Sequence, residues 1–190
     1  MYVKICGITS PADARLAVSA GADAIGILLY TDSQRSVTTR RAEAILKAIA
    51  GRVETVCVTT TRSPAYLREI CRLSPDAIQT YHPLNVPDRF ISVSGWDGIS
   101  LPPEDADRLL LDVSHGRGVV LDTVVAEAAI EEATVPVLVS GGLTHSSVAG
   151  VIRSLHPAGV DVSSGVESSP GVKDMHRVQA FVAACRGCSP

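Results

Sequence analysis

Short apolar segments alternate with helical patterns along almost the whole chain, and this alternation constrains the fold more than any other feature. The first apolar segment, YVKIC (2–6), precedes SPADARLAVSAG, where Ser10 can cap a helix, Pro11 fits its first turn and Gly21 fits its end. Seven more strand-like segments follow, at residues 23–29, 53–58, 76–79, 89–94, 108–112, 135–140 and 159–163. Clear helical patterns follow every strand except the fourth and fifth.

Strands that alternate with helices favour parallel pairing, and apolar strands favour burial on both faces. We therefore predict an α/β protein, a single (β/α)8 TIM barrel domain over residues 1–190, with the helices after strands 4 and 5 reduced or missing. The segments 80–88 and 95–107 lack helical periodicity, with at most one turn near Glu104. A doubly wound open sheet is the rival fold, but CGITSPAD after strand 1 is neither GxGxxG nor a P-loop.

Composition narrows the class of protein. Hydrophobic residues make up 46% of the chain and aromatic residues 4%, so we expect a core of Ala, Val, Leu and Ile. The net charge is −3 and the basic residues are scattered, so we expect no nucleic-acid partner. No apolar run reaches the roughly 20 residues of a membrane span, and the start does not resemble a signal peptide. We expect a cytoplasmic protein without membrane association.

The five cysteines are an odd number, which favours reduced thiols over a disulfide framework. Cys185 and Cys188 form a CxxC pair near the C-terminus, which could bind metal or cycle between redox states. No further ligands occur at zinc-site spacing, so we expect no metal and interpret the pair as thiols of a fraying tail.

The active site of such a barrel lies at the C-terminal ends of the strands, where Cys6 and Asp112 end strands 1 and 6. Cys6 is either a small buried residue or a general base, if a cation such as Lys4 on the same face lowers its pKa. Asp112 is either a functional acid, an ion-pair partner of Lys4, or a cap on the following loop, since an unpaired buried carboxylate is costly.

Two loops rich in glycine and serine follow strands 7 and 8, SGGL (140–143) and SSG (163–165). Their backbone N–H groups can approach an anion, and barrels frequently bind phosphate there. Simple tight turns are the alternative interpretation.

Arg35, in TDSQRSV after strand 2, is a candidate clamp for a substrate carboxylate, although most loop arginines are only solvated.

Taken in order, these motifs resemble the phosphoribosylanthranilate isomerase family of tryptophan biosynthesis. The resemblance covers nearly the whole chain and lies in KICGIT, GADAIGILL with SQR, LLLD with GRG, SGGL, and GVDVSSGVESSPGVKD. It implies an aldose–ketose isomerase that performs an Amadori rearrangement of a small phosphorylated substrate, without cofactor or metal.

Carried over by motif, the resemblance implies that Asp112 is the general acid and Cys6 the general base. It implies that Arg35 holds the anthranilate carboxylate, and that Gly141, Gly142, Ser164 and Gly165 hold the phosphate. Asp161 and Ser163 complete the expected substrate-binding set. A monomer or a homodimer is compatible with the sequence.

Several departures from the family pattern leave alternatives open, among them SQR in place of the usual SPR and the missing helix after strand 4. Strand 4 ends in QTYHP rather than QLHG, strand 3 in VCVTTT rather than VFVN, and the tryptophan usual after Asp122 is absent. The alternatives are an isomerase of a related phosphorylated aminosugar with another aglycone, or a silent paralogue that binds a sugar phosphate.

We expect Lys4 to lie one layer deeper in the barrel than Cys6, paired with Asp112 or Asp161.

Overall fold

Eight parallel strands form a closed barrel in the computed structural model, which describes residues 1–100, 103, 105–112 and 123–188. The strands are β1 (Tyr2–Ile5), β2 (Ala24–Leu28), β3 (Glu54–Thr59), β4 (Ala77–Thr80), β5 (Ile91–Trp96), β6 (Arg108–Leu111), β7 (Val137–Val139) and β8 (Gly159–Val162). They follow chain order around the barrel, and β1 closes it by pairing with β8. The predicted barrel is confirmed.

Six helices pack around the described part of the barrel. They are α1 (Pro11–Ser19), α2 (Thr39–Ile49), α3 (Pro64–Arg72), α4 (Thr123–Glu132), α5 (Val148–Leu155) and α6 (Met175–Arg186). The start of α1 is as predicted, because Ser10 Oγ accepts a hydrogen bond of 3.1 Å from the backbone N–H of Asp13 and Pro11 opens the helix. Local capping rules therefore suffice to place this helix.

The barrel has no helix between β4 and β5. Residues 81–90 form a loop instead, and its Leu84, Val86 and Phe90 pack against the main hydrophobic core. The described residues between β5 and β6 are also non-helical, so the expected reduction of these two helices is confirmed there; Glu104 lies outside the described residues. The prediction that the second loop begins at Gly95 is wrong, because β5 continues through Trp96.

A short hairpin between β8 and α6 was not predicted. A 3₁₀ turn (Ser164–Val166) leads into β9 (Glu167–Ser169), which pairs antiparallel with β10 (Val172–Lys173). Gly171, at φ +79°, supports the tight turn between them. The two strands are too short and too polar to produce an apolar periodicity, which explains why pattern analysis missed them.

The interior of the barrel contains a buried charge, Lys4 on β1, which is 1% exposed. Its ammonium donates hydrogen bonds of 2.9 Å to Asp161 Oδ1 and 2.9 Å to Gln79 Oε1. The pairing of β1 with β8 places Lys4 opposite Asp161 in register. The expected burial of Lys4 beside an aspartate is confirmed, with Asp161 rather than Asp112 as its ion-pair partner.

A second polar group closes the N-terminal end of the barrel. The hydroxyl of Tyr2 donates to Glu54 at 2.7 Å, and Arg108 Nη1 donates to the same carboxylate oxygen at 2.8 Å. Burial, together with the hydrogen bond to Glu54, raises the pKa of Tyr2 well above its ordinary value. The tyrosine therefore stays neutral and acts as a donor.

All five cysteines are free thiols. Cys185 is fully buried in α6, so the interpretation of this residue as part of a fraying tail is wrong; the helix holds it in the core.

Within the described ranges, no group of three or more His, Cys, Asp or Glu side chains is arranged to hold a metal ion. None of the helices described is both long and apolar enough to cross a membrane.

We expect Lys4→Met to lower the free energy of unfolding by about 3–5 kcal/mol, because it leaves the Asp161 carboxylate buried without its cation. Denaturant titration followed by circular dichroism measures the effect. Adding Asp161→Asn to this variant should recover much of the loss, since no charge then remains unpaired. A Lys4→Met variant within about 1 kcal/mol of the parent would contradict a structural role for the pair.

Candidate active site

Cys6 lies immediately after β1 and points into the mouth of the barrel. The residue is 7% exposed, and its backbone N–H donates to the carbonyl of Val162 on β8 at 2.8 Å. Gly26 on β2 makes room for the thiol, because a Cβ there would lie 2.6 Å from Cys6 Sγ. The position of the thiol is therefore set by both neighbouring strands.

The electrostatic environment of Cys6 differs from the one expected. Burial raises the pKa of the thiol, whereas the positive charge of Lys4 lowers it, and the negative charge of Asp161 raises it again. Lys173 also lowers the pKa, but the net shift is upward. Lys4 therefore lowers the pKa of Cys6, as considered from the sequence, but it does not bring that pKa below its ordinary value, because burial and the charge of Asp161 outweigh it.

Asp112 lies immediately after β6 and is 3% exposed. Its backbone N–H donates to the carbonyl of Trp96 at 3.0 Å, and the hydroxyl of Tyr81 donates to Asp112 Oδ2 at 3.2 Å. Two strands, β7 and β8, separate β6 from β1 around the barrel. The carboxyl and the thiol therefore face one mouth from different sides.

The two loops expected to bind phosphate are in direct contact with each other. A Cβ at Gly165 would lie 1.9 Å from the carbonyl oxygen of Leu143, so only glycine allows the approach. Gly141 and Gly142 both have positive φ, at 106° and 60°. The structure thus brings the four predicted phosphate residues, Gly141, Gly142, Ser164 and Gly165, into neighbouring loops on one side of the mouth.

Arg35 lies beside this mouth and already holds a carboxylate of the protein. Its Nε donates to Glu167 Oε1 at 2.8 Å and its Nη2 donates to Glu167 Oε2 at 2.7 Å. The side chain passes over Gly7, where a Cβ would lie 2.6 Å from Arg35 Cδ. Glu167 therefore occupies the planar fork of Arg35 and fixes its orientation, and the role of Arg35 on a substrate carboxylate stays a prediction.

Sequence reasoning did not single out Glu167 and Lys173, which contact the predicted site residues Arg35 and Ser163. The buried ammonium of Lys173 donates to Glu167 Oε1 at 2.8 Å and to the carbonyl of Ser163 at 3.1 Å. Burial acts to raise the pKa of Glu167, but hydrogen bonds from Arg35 and Lys173 lower it overall. Both residues lie within the GVESSPGVKD segment, and that motif was the available signal.

The remaining predicted residues occupy different depths. Ser163 lies at the mouth, where its Oγ would be 2.7 Å from a Cβ at Gly7. Asp161 lies deeper, paired with Lys4 and accepting a hydrogen bond of 3.4 Å from Ser140 Oγ, so its role as a substrate ligand stays a prediction. Asp122 and the GRG motif lie outside the described residues.

A cavity of about 1010 Å³ borders Tyr81 on the side of the barrel that lacks helices. The loop between β4 and β5 forms much of its wall, and Ser92, Ser94 and Gly95 of β5 contribute to the rest. Neither Cys6 nor Asp112 lines this cavity. It therefore adjoins the mouth that contains Cys6 and Asp112 without including either residue.

Comparison with known proteins identifies the family. A family model described as N-(5'-phosphoribosyl)anthranilate (PRA) isomerase matches residues 96–184. N-(5'-phosphoribosyl)anthranilate isomerase from Methanoregula boonei is 41% identical, over 98% of this chain and 97% of that protein.

Two solved structures agree with this result. Phosphoribosyl anthranilate isomerase from Thermus thermophilus has a TM-score of 0.86 at 28% identity and covers 100% of both chains. A phosphoribosyl anthranilate isomerase in complex with reduced 1-(o-carboxyphenylamino)-1-deoxyribulose 5-phosphate has a TM-score of 0.81 at 27% identity, over 98% of this chain and 99% of that one. With its closed barrel and its sequence identity to these isomerases, the chain belongs to the N-(5'-phosphoribosyl)anthranilate isomerase family.

Proposed function

We propose that this protein isomerises N-(5'-phosphoribosyl)anthranilate to 1-(2-carboxyphenylamino)-1-deoxyribulose 5-phosphate with Asp112 as general acid and Cys6 as general base. Family membership makes the chain an isomerase of tryptophan biosynthesis. One observation carries the proposed roles: two buried proton-transfer groups face the same barrel mouth from separate strands. The reaction needs this separation, because one proton is added at an oxygen and another is removed from a carbon.

The first step is the opening of the furanose ring. Asp112 gives its proton to the ring oxygen as the bond from that oxygen to C1' breaks. The lone pair of the anthranilate nitrogen moves into the bond to C1', which yields a protonated Schiff base and leaves Asp112 as a carboxylate. General acid catalysis of this kind accelerates a step by about 100- to 10,000-fold.

The second step is removal of the proton at C2'. The thiolate of Cys6 takes this proton, and the electrons of the C–H bond form a double bond between C1' and C2'. The protonated Schiff base becomes a neutral enolamine. The enolamine then loses the proton of its C2' hydroxyl and gains one at C1', which produces the ketone.

The loops after β7 and β8 are the proposed binding site of the phosphate. Gly141, Gly142 and Gly165 permit close approach of the backbone, and the exposed Ser164 beside Gly165 has a hydroxyl that can also donate. The buried Lys173 ammonium is near Ser163, which favours an anion on this side. Asp161 and Ser163 complete the proposed substrate-binding set.

Arg35 is the proposed ligand of the anthranilate carboxylate. Its Nε and Nη2 each donate one hydrogen bond to Glu167. The guanidinium has further N–H groups, which can donate to a second carboxylate. The family's reaction uses no cofactor, and we propose none. We also propose that the enzyme works in the cytoplasm as a monomer or homodimer.

We expect the parent protein to turn over freshly prepared N-(5'-phosphoribosyl)anthranilate, measured as loss of anthranilate fluorescence. Cys6→Ala and Asp112→Asn should each lower kcat at least about 100-fold, because each removes one proton-transfer group. Cys71→Ala is the matched control, since this buried thiol lies in α3 away from the mouth.

Each possible failure of this experiment identifies the claim that is wrong. A folded parent without turnover would refute the proposed reaction, and turnover of another phosphorylated aminosugar instead would support the alternative aglycone. Undiminished kcat in Cys6→Ala or Asp112→Asn would refute the role of that residue alone. Circular dichroism of every variant separates loss of chemistry from loss of fold.

Arg35→Met should raise KM about 10- to 100-fold with a smaller effect on kcat, because a charge-assisted hydrogen bond contributes about 1.5–3 kcal/mol. Glu167 keeps its ion pair with Lys173 in this variant, so the hairpin should remain ordered. Arg41→Met is the control, since its guanidinium bonds only the carbonyl of Thr9 among the hydrogen bonds described. A KM within twofold of the parent would exclude Arg35 as a substrate ligand.

We expect kcat/KM to fall on the alkaline side only above about pH 8.5, the ordinary pKa of a cysteine. The active form has a thiolate at Cys6 and the acid's proton on Asp112, and it carries the same total number of protons as the form with that proton on the thiol. Both forms are lost together only when the pH passes the pKa of the thiol, which burial raises. The charged groups acting on it are Lys4, Asp161, Lys173 and Arg35.

The measurement is a profile of kcat/KM between pH 6 and about pH 10, with circular dichroism at each pH to confirm that the protein stays folded. An alkaline limb centred below about pH 8 would show that the thiol pKa is lowered rather than raised in the working enzyme.

A further inference from the structure

A line of hydrogen bonds crosses the barrel from the buried cation to Asp112. Lys4 Nζ donates to Gln79 Oε1 at 2.9 Å, Gln79 Nε2 donates to Tyr81 Oη at 3.0 Å, and Tyr81 Oη donates to Asp112 Oδ2 at 3.2 Å. Gln79 and Tyr81 are two residues apart, so both point into the barrel. The proposed acid is thereby connected to the ion pair that holds the barrel interior together.

The direction of each bond in this line is fixed by chemistry. An ammonium only donates, so the side chain of Gln79 must turn its oxygen towards Lys4 and its N–H₂ towards Tyr81. The hydroxyl oxygen of Tyr81 therefore accepts, and its own proton is directed to Asp112. Burial raises the pKa of Tyr81 well above its ordinary value, and the charge of Asp112 raises it further. Tyr81 is therefore a neutral donor throughout the working pH range.

The ring of Tyr81 packs against β5 at Gly95, where there is no side chain to displace it. A Cβ at Gly95 would lie 2.4 Å from Tyr81 Cδ1, so the ring lies directly over this glycine. The ring also packs against the apolar cluster of the barrel interior. Its hydroxyl is therefore presented to Asp112 by packing as well as by Gln79.

We propose that Tyr81 is a positioning residue that orients the Asp112 carboxyl for proton transfer to the substrate. The inference rests on the proposed role of Asp112 as the acid. When Asp112 gives up its proton it becomes charged, and hydroxyl-to-carboxylate bonds are about 2.5–2.7 Å long. The bond of 3.2 Å can shorten as that charge develops, so it stabilises the transition state more than the ground state.

Tyr81→Phe tests the inference, because it removes the hydroxyl and keeps the ring over Gly95. We expect kcat to fall about 10-fold and KM to stay within twofold, since the lost bond acts in ring opening rather than in binding. With substrate deuterated at C2', the isotope effect on kcat should be no larger than in the parent. Ring opening, rather than proton removal by Cys6, is the step that the substitution slows.

Two further variants make the test specific. Tyr2→Phe removes another interior tyrosine hydroxyl that donates to a carboxylate, at the opposite end of the barrel, and should leave kcat unchanged. Gly95→Ala displaces the Tyr81 ring while both its hydroxyl and Asp112 remain, and should lower kcat in the same way as Tyr81→Phe.

Three results would overturn the inference: a kcat of Tyr81→Phe within twofold of the parent, a higher KM at unchanged kcat, or a larger C2' isotope effect. Any of these, together with loss of activity in Asp112→Asn, leaves the proposed function intact and refutes only the role of Tyr81. A folded parent without turnover refutes the proposed function itself.

Discussion

The ion pair between Lys4 and Asp161 is the interaction on which the rest of the structure depends. A buried ammonium without a counter-charge is very costly, and the pairing of β1 with β8 supplies Asp161 at 2.9 Å. A shift of one residue between these strands would turn one of the two charges to the other face of the barrel. The pair therefore specifies the register in which the barrel closes.

The same register assembles much of the site. Cys6 lies two residues after Lys4, and Ser163 lies two residues after Asp161, so both continue the inward face of their strands. The backbone bond from Cys6 to Val162 joins the strands at this level. The proposed base is consequently held beside the proposed phosphate loop by the pairing that the buried charges require.

Local patterns predicted the fold because its determinants are local. The start of α1 depends on Ser10 and Pro11, which are adjacent in the sequence, and the strand–helix alternation is likewise read from short windows. The contact between Arg35 and Glu167 joins residues 132 positions apart, and that between Tyr81 and Asp112 joins residues 31 positions apart. Spacing within a short stretch of sequence cannot show which of these distant residues will meet. The sequence likewise left the pKa shift of Cys6 open, because its direction depends on how deeply the fold buries the thiol beside Lys4 and Asp161.

The loss of the helix after β4 is explained by what the outer faces of the strands require. Ser92 and Ser94 on β5 are partly exposed, and small polar side chains on an outer face need no helix to cover them. Ile78 on β4 does need cover, and the loop 81–90 supplies Leu84, Val86 and Phe90 to the same core. A helix on the outside of such a barrel is therefore dispensable where the outer face of the strand is polar. The inward-facing positions are different, because charge constrains Lys4 and packing constrains Tyr81. A chain of 190 residues can shorten the wall of the barrel in this way without disturbing its mouth.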